Sequence, residues 1–291
     1  QQMSRATYEG LKRLKPDKRP FVLTRATFSG GQRFASVWTG DNAATWEHLR
    51  LANLQCQRLS ASGFSFVGTD IGGFDKQPDG ELFIRWLQLA VFHPLFRVHS
   101  MGNNVDGAAE AEAEFIQAAE RENRLDQEPW SFGEENTALA RKAIELRYQL
   151  LPYMYTAFHQ NVQTGAPVIR SLFLYSQEDP VSLEREEEFL FGGHLLVSPV
   201  LEPGVEAVKA YLPPGRWYDY HEGTLYEGKQ MATFPARPDG IPVFARSGAV
   251  IPNYPIQQYV GEKQFESIAL RVYHGEEKSE LYEDAGDGYG Y

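Results

Sequence analysis

The 291-residue chain carries 28 Lys and Arg against 39 Asp and Glu, a net charge of −11, with 42% hydrophobic and 13% aromatic residues. That apolar content supports a packed core rather than disorder, and the acidic balance excludes general affinity for nucleic acid or anionic membrane while leaving neutral ligands such as sugars open. The single cysteine, Cys56, excludes an internal disulfide and any multi-cysteine metal site, and no apolar run approaches the roughly 18 residues that span a bilayer.

Gln1 to Arg5 has no apolar stretch behind its charge, so it is not a secretory signal, and it does not read as a natural start. No Asn-x-Ser/Thr acceptor occurs, and the sequence assigns no compartment. Ala6 to Leu14 is periodic enough for a short helix. After Arg19-Pro20, the run Phe21 to Arg25 reads as a short buried strand ending in a charge. Phe34 to Val37 reads as a second strand, running into Trp38-Thr39-Gly40-Asp41-Asn42. A helix from Thr45 to about Ser60 follows, with Asn42 as its expected cap. Phe64 to Val67 is a third strand, ending in Gly68-Thr69-Asp70-Ile71-Gly72-Gly73-Phe74. A helix over Gly80 to Ala90 then leads to a fourth apolar run, Val91 to Phe96, which ends in Arg97-Val98-His99.

Short apolar strands alternating with helices, each followed by a polar or charged residue, have the rhythm of a (β/α) barrel. A doubly wound sheet alternates in the same way but usually presents a phosphate-binding glycine loop, and no G-x-G-x-x-G or Walker pattern occurs. Barrel enzymes carry their chemistry at the C-terminal ends of the strands, where Asp41, Asp70, Arg25 and His99 fall. Each has an ordinary reading too. Asp41 could cap a helix, Asp70 beside two glycines could form a turn, Arg25 could be an ion-pair partner and His99 a structural histidine. A closed barrel needs eight strands and the first hundred residues supply about four, so the sequence predicts half a barrel completed by another polypeptide or an N-terminal part.

Residues 104 to 126 are rich in Ala and Glu and predict a helix, either beside the site or as a solvated spacer. Glu134 to Gln163 predicts a long amphipathic helix broken near Pro152, with Ala140, Ala143, Ile144, Tyr148 and Leu151 as its apolar stripe. From Gly165 the pattern changes to short β runs, including Val168 to Leu174, Leu195 to Val200, Glu206 to Leu212, Ile241 to Arg246 and Ala249 to Pro252. Glycine and proline turns separate them, as in an antiparallel sandwich. After Asn253-Tyr254-Pro255, one last β segment is expected from Ser267 to Tyr273. The expected divisions are a half-barrel over 1–165, a β-sandwich over 166–253 and the start of a further β domain over 254–291.

In order, Leu23-Thr24-Arg25-Ala26-Thr27-Phe28, Trp38-Thr39-Gly40-Asp41-Asn42, Gly68-Thr69-Asp70-Ile71-Gly72-Gly73-Phe74 and Phe96-Arg97-Val98-His99 carry a resemblance. Glu128 to Gly133, Val197 to Glu202, Tyr211 to Asp219 and Pro242 to Gly248 extend it over nearly the whole chain. The set resembles the C-terminal half of glycoside hydrolase family 31, the α-glucosidase and α-xylosidase family. The resemblance implies that Asp41 is the acid/base of a retaining glycosidase acting on α-linked oligosaccharides. It implies that Arg25 and His99 hydrogen-bond sugar hydroxyls, that Asp70 supports that polar ring, and that Trp38 and Phe74 wall the pocket. The family nucleophile lies on an earlier strand, in a motif resembling Trp-x-Asp-Met-Asn-Glu that does not occur here.

Val98 stands where many members carry Asn, which leaves glycosyl and linkage preference open. No cofactor is implied. Some relatives bind calcium in their β domains, to which Asp284 and Asp287 could contribute, although an Asp/Gly turn explains the same residues. His93, His159 and His194 are read as structural. An α-transglucosylase or α-xylosidase of the same fold, and a catalytically silent carbohydrate-binding chain, remain as alternatives.

Overall fold

The computed structural model describes residues 2–101 and 127–291. The helix expected over residues 104 to 126 lies outside the described residues. Helix α1 (Gln2–Leu14) leads to strand β1 (Leu23–Thr24), followed by β2 (Ser36–Trp38), α2 (Trp46–Ala61), β3 (Val67–Gly68), β4 (Asp70–Ile71), α3 (Gly80–Ala90) and β5 (Arg97–Val98). β1, β2 and β3 pair in parallel, and past Thr69 the ladder continues as β4 with β5, also in parallel. This is part of a barrel, with β1 inside its expected run and β2 and β3 displaced toward the C-terminal ends of theirs.

The fourth run is a correction. Val91 to Leu95 is not a strand but a buried turn leaving α3, and the strand begins only at Arg97. A short apolar run bounded by a helix has no periodicity that separates strand from buried turn. Here the carbonyls of Val91, His93 and Pro94 are met by Arg147, at 2.8, 2.7 and 2.7 Å, instead of by a neighbouring strand. Burial pulls the Arg147 guanidinium down to about 10, yet these bonds leave it in place as a cap for the turn.

The expected break at Pro152 is present, between α4 (Gly133–Gln149) and α5 (Leu151–Thr164), with the proline in the first turn where no amide is needed. β6 (Ile169–Ser171) is shorter than expected, because Leu172 to Tyr175 turns into a short helix, α6. A second short helix, α7 (Pro180–Glu184), follows. The remaining strands are β7 (Phe189–Phe191), β8 (Leu195–Val197), β9 (Ala207–Leu212), β10 (Arg216–Asp219), β11 (Leu225–Glu227), β12 (Gln230–Pro235), β13 (Val243–Arg246), β14 (Val250–Asn253) and β15 (Ala269–Val272). Six of them form an antiparallel sheet in the order β11-β10-β13-β8-β7-β6. β9 pairs with β12, and β14 with β15.

At its centre the six-stranded sheet is buried on both faces, which is why Phe189–Phe191, Leu195–Val197 and Val243–Ala245 are unbroken apolar runs. Phe189, Phe191, Leu195, Val197, Val243 and Ala245 join a core shared with α2, α3, α4 and α5. Leu190, Leu196 and Phe244, on the alternate face, meet Ala210, Leu212 and Phe234 of the β9–β12 pair. One continuous core thus ties the β region to the barrel segment, and the strand ends are held on a rigid base.

The C-terminal segment is anchored to the connection before β1. Arg19 donates to Asp284 at 2.7 Å and, through its backbone amide, to Asp287 at 2.9 Å, while Lys18 pairs with Asp287 at 2.7 Å. Asp284 also accepts from Tyr155, Tyr282 and the Gly286 amide. Burial alone would raise the Asp284 carboxyl, but these donors outweigh it and hold it well below the usual range. Among the described residues no helix is long and apolar enough to cross a membrane.

Candidate active site

Arg25, Trp38, Asp41, Asp70, Phe74 and His99 lie in or just beyond the C-terminal ends of β1, β2, β4 and β5. The structure joins them in three contacts. Arg25 Nη1 donates to Asp41 Oδ2 at 3.1 Å, across a turn made by Gly40 at φ +85°. A Cβ on Gly40 would stand 2.8 Å from Arg25 Nε, so glycine serves both the turn and the approach of the guanidinium. Both side chains are open, 60% and 45% exposed, so the pair adds at most about 1 kcal/mol to stability and is free to rearrange around a ligand.

The second contact is of the opposite kind. Asp70 is fully buried, and its Oδ1 accepts from Arg97 Nε at 3.1 Å and also from Nη2. Oδ2 has no donor among the described residues. Burial raises the Asp70 carboxyl; the bond and charge of Arg97 and the nearby His99 oppose that, and Asp41 adds to it. Asp41 and His99 are therefore both within electrostatic reach of Asp70. The Arg97 guanidinium also stands 5.1 Å from the Trp38 ring, a cation–π distance that ties Trp38 to the buried pair. Third, the Phe74 and His99 rings approach to 5.4 Å at 33°.

The loops bearing Asp41 and Phe74 are stitched together. The Asn42 carbonyl accepts from the Phe74 and Asp75 amides at 2.7 and 3.0 Å, and Ala44 N donates to Asp75 O at 2.7 Å. The Asn42 side chain accepts from Thr39 Oγ1 at 2.7 Å, so it is not the helix cap; Thr45 is, accepting from His48 N at 3.2 Å. Gly73, at φ +90°, leaves no room for a side chain, since a Cβ would sit 2.5 Å from Ala44 N. Gln127 Nε2 then holds the Gly73 carbonyl at 3.0 Å.

Two residues escaped the sequence reading as parts of the site. Arg97 opens β5 and His99 follows just past its end, two positions on, and that spacing was the available signal. Gln127 gave none, because its bond to Gly73 spans 54 positions. The other histidines noted lie elsewhere. His93 is wholly buried and pulled down to about 3 by burial with Arg147 beside it, His159 stacks on Tyr282 at 3.8 Å, and His194 stands 3.8 Å from Glu277. Asp284 and Asp287 serve the anchor described above, and among the described residues no group of three or more His, Cys, Asp or Glu is placed to hold a metal.

The model of the glycosyl hydrolases family 31 TIM-barrel domain matches residues 1–157, and that of the family's C-terminal domain matches residues 165–251. Alpha-glucosidase 2 of Bacillus thermoamyloliquefaciens is 39% identical over 99% of this chain and 34% of its own length. Neutral alpha-glucosidase C of Homo sapiens is 39% identical over 98% of this chain and 30% of its own. A solved GH31 dextranase from Flavobacterium johnsoniae complexed with glucose superposes with a TM-score of 0.86 at 32% identity, over 98% of this chain and 35% of that one. The glucosidase II alpha subunit gives 0.87 at 31% identity, over 99% and 30%. The chain spans about a third of the length of the curated relatives it matches. On these matches it belongs to glycosyl hydrolase family 31.

Proposed function

We propose that this chain carries the acid/base half of the active site of a retaining α-glucosidase. Asp41 is the acid/base, and the nucleophile comes from polypeptide outside these residues. In that reading residues 1–165 are half of the catalytic barrel, 166–253 a proximal β-sandwich, and 254–291 the start of a distal β domain. The relatives named alpha-glucosidases support it, as do the strand order β1-β2-β3 and the β4–β5 pair, which form an incomplete barrel among the described residues.

The observation that carries the assignment is the contrast between the two strand-end carboxylates. Asp70 is sealed and neutralised by Arg97, whereas Asp41 is open and stands beside Arg25. A group that must protonate a leaving oxygen and later take a proton from water has to reach both, which only Asp41 does. In the retaining reaction Asp41 donates its proton to the glycosidic oxygen as the C–O bond breaks, and a second carboxylate roughly 5–5.5 Å away captures the sugar. Asp41, now ionised, deprotonates the water that releases it. Arg25 and His99 hold sugar hydroxyls, Trp38 and Phe74 form apolar walls, and Asp70 keeps Arg97 fixed against Trp38.

The test is Asp41→Asn in the whole enzyme. Hydrolysis of maltose-like substrates, whose leaving oxygen needs a proton, should be abolished, while an activated aryl α-glucoside should keep much of its glycosylation rate. Equal loss on both substrate kinds would remove Asp41 from the acid role.

A further inference from the structure

Away from the strand ends, α4 and the chain after β14 enclose a groove of about 540 Å³, within the range of small-molecule sites. Its wall includes Trp130, 68% exposed, together with Tyr148 and the half-exposed Ile256. An open aromatic plane offers a surface on which the apolar face of a ring can stack. The polar lining is unusual in one respect. Gln257 is more than nine-tenths buried, and its Oε1 has no donor among the described residues. A buried acceptor left unpaired costs about 1–3 kcal/mol, so a turn of the amide that brings this oxygen to a hydroxyl in the groove would be favoured.

The chemistry of the groove selects the ligand class. Arg141 and Lys263 are balanced by Glu145 and Glu262, so the site favours neither an anion nor a cation. An aromatic plane, an amide that can both donate and accept, and paired charges suit a neutral polyhydroxylated ring, which has an apolar face and hydroxyl edges. The groove is also mechanically joined to the strand ends. Trp130 belongs to the short segment between Gln127, which holds Gly73, and Phe132, which stacks on Phe83 at 4.4 Å.

We propose that this groove is a second carbohydrate-binding site, in which Trp130 stacks on a glucosyl ring and Gln257 pairs with its hydroxyls. It would hold a distant part of an α-glucan while another part is cleaved. The proposal rests on the α-glucosidase reading only for the identity of the sugar.

The test uses the whole enzyme with Trp130→Ala and, separately, Gln257→Leu, which keeps the side-chain volume. Affinity for soluble starch is read by retardation in native gels containing the polymer, and kcat/KM is measured on that polymer and on maltose. The site predicts weaker retardation in both variants and a fall of about tenfold in kcat/KM on the polymer, the size of one lost sugar contact at 1.4 kcal/mol, with maltose kinetics unchanged. Retardation equal to that of the parent enzyme, or equal losses on polymer and maltose, would overturn the proposal. A protein that is retarded through Trp130 but cleaves neither substrate would sink the hydrolase reading and leave the groove standing.

Discussion

Replacing Arg97 by Met should destabilise the protein more than any change at the exposed Asp41–Arg25 pair. Asp70 is fully buried and Arg97 is its sole hydrogen-bond donor among the described residues, so the variant leaves a carboxylate with no hydrogen bond and only the nearby His99 to offset its burial. Breaking a buried pair from one side costs about 3–5 kcal/mol. Arg97 is itself 27% exposed, so water reaches the pair and the lower end, about 3 kcal/mol, applies. At roughly 2–4 °C per kcal/mol that is a fall in Tm of about 6 °C or more. The pH dependence has a definite sign. Burial already raises the Asp70 carboxyl above its unfolded value, and losing Arg97 removes the main opposing influence. The penalty falls on the ionised form. It is therefore full above the raised folded value and fades as pH falls toward the ordinary carboxylate value of about 3.9. Melts of parent and variant should lie far apart at pH 7 and draw together on acidification. Adding Asp70→Asn to Arg97→Met should restore most of the loss, since no buried charge remains. An Arg97→Met melt equal to the parent's at pH 7, or a gap that does not narrow with acid, would refute the account of the pair.

His99→Ala should lower kcat/KM on maltose-like substrates by about 2–4 kcal/mol of transition-state stabilisation, the scale of one preorganised donor. Its exposed position should keep the melt within about 0.5 kcal/mol of the parent; an unfolded variant, or unchanged kcat/KM, would return His99 to the structural histidines. Gly73→Ala should cost at least about 1–3 kcal/mol for its positive φ alone, and more because the Cβ meets Ala44 N at 2.5 Å. A melt and turnover equal to the parent's would show that this loop does not set the site.

The barrel segment was legible because alternation and punctuation are local signals. The Gly80–Ala90 helix matches its expected ends, with Asp79 capping it through the Leu82 amide at 2.8 Å. The break at Pro152 was equally plain. What failed was whatever depended on a distant partner. Val91 to Leu95 is a turn because Arg147, more than fifty positions on, satisfies its carbonyls. Asn42 lost its capping role to Thr45 because Thr39 and the Phe74 loop use it first. Asp284 and Asp287 make the expected Asp/Gly turns, accepting from the Gly286 and Gly288 amides at 2.7 Å, but their grip on Arg19 and Lys18, some 270 positions earlier, had no local signal. At the site, residue type and strand-end placement picked out Asp41 and Asp70 alike. The difference between an open carboxylate and a sealed one came from burial, which no spacing encodes.

That difference also bears on how an exposed carboxylate, here the proposed acid Asp41, can be held accurately. The Arg25–Asp41 pair is too wet to fix its own geometry. The position of Asp41 is set one residue further on, where the Asn42 carbonyl accepts two amides of the Phe74 loop and the Asn42 side chain is held by Thr39. That loop is fixed in turn by Gly73 packed against Ala44 and by Gln127 on the Gly73 carbonyl. The rigidity sits in backbone bonds, while the carboxylate they aim remains open to water. The acid/base role proposed for Asp41 needs both properties, and this arrangement separates them between adjacent residues.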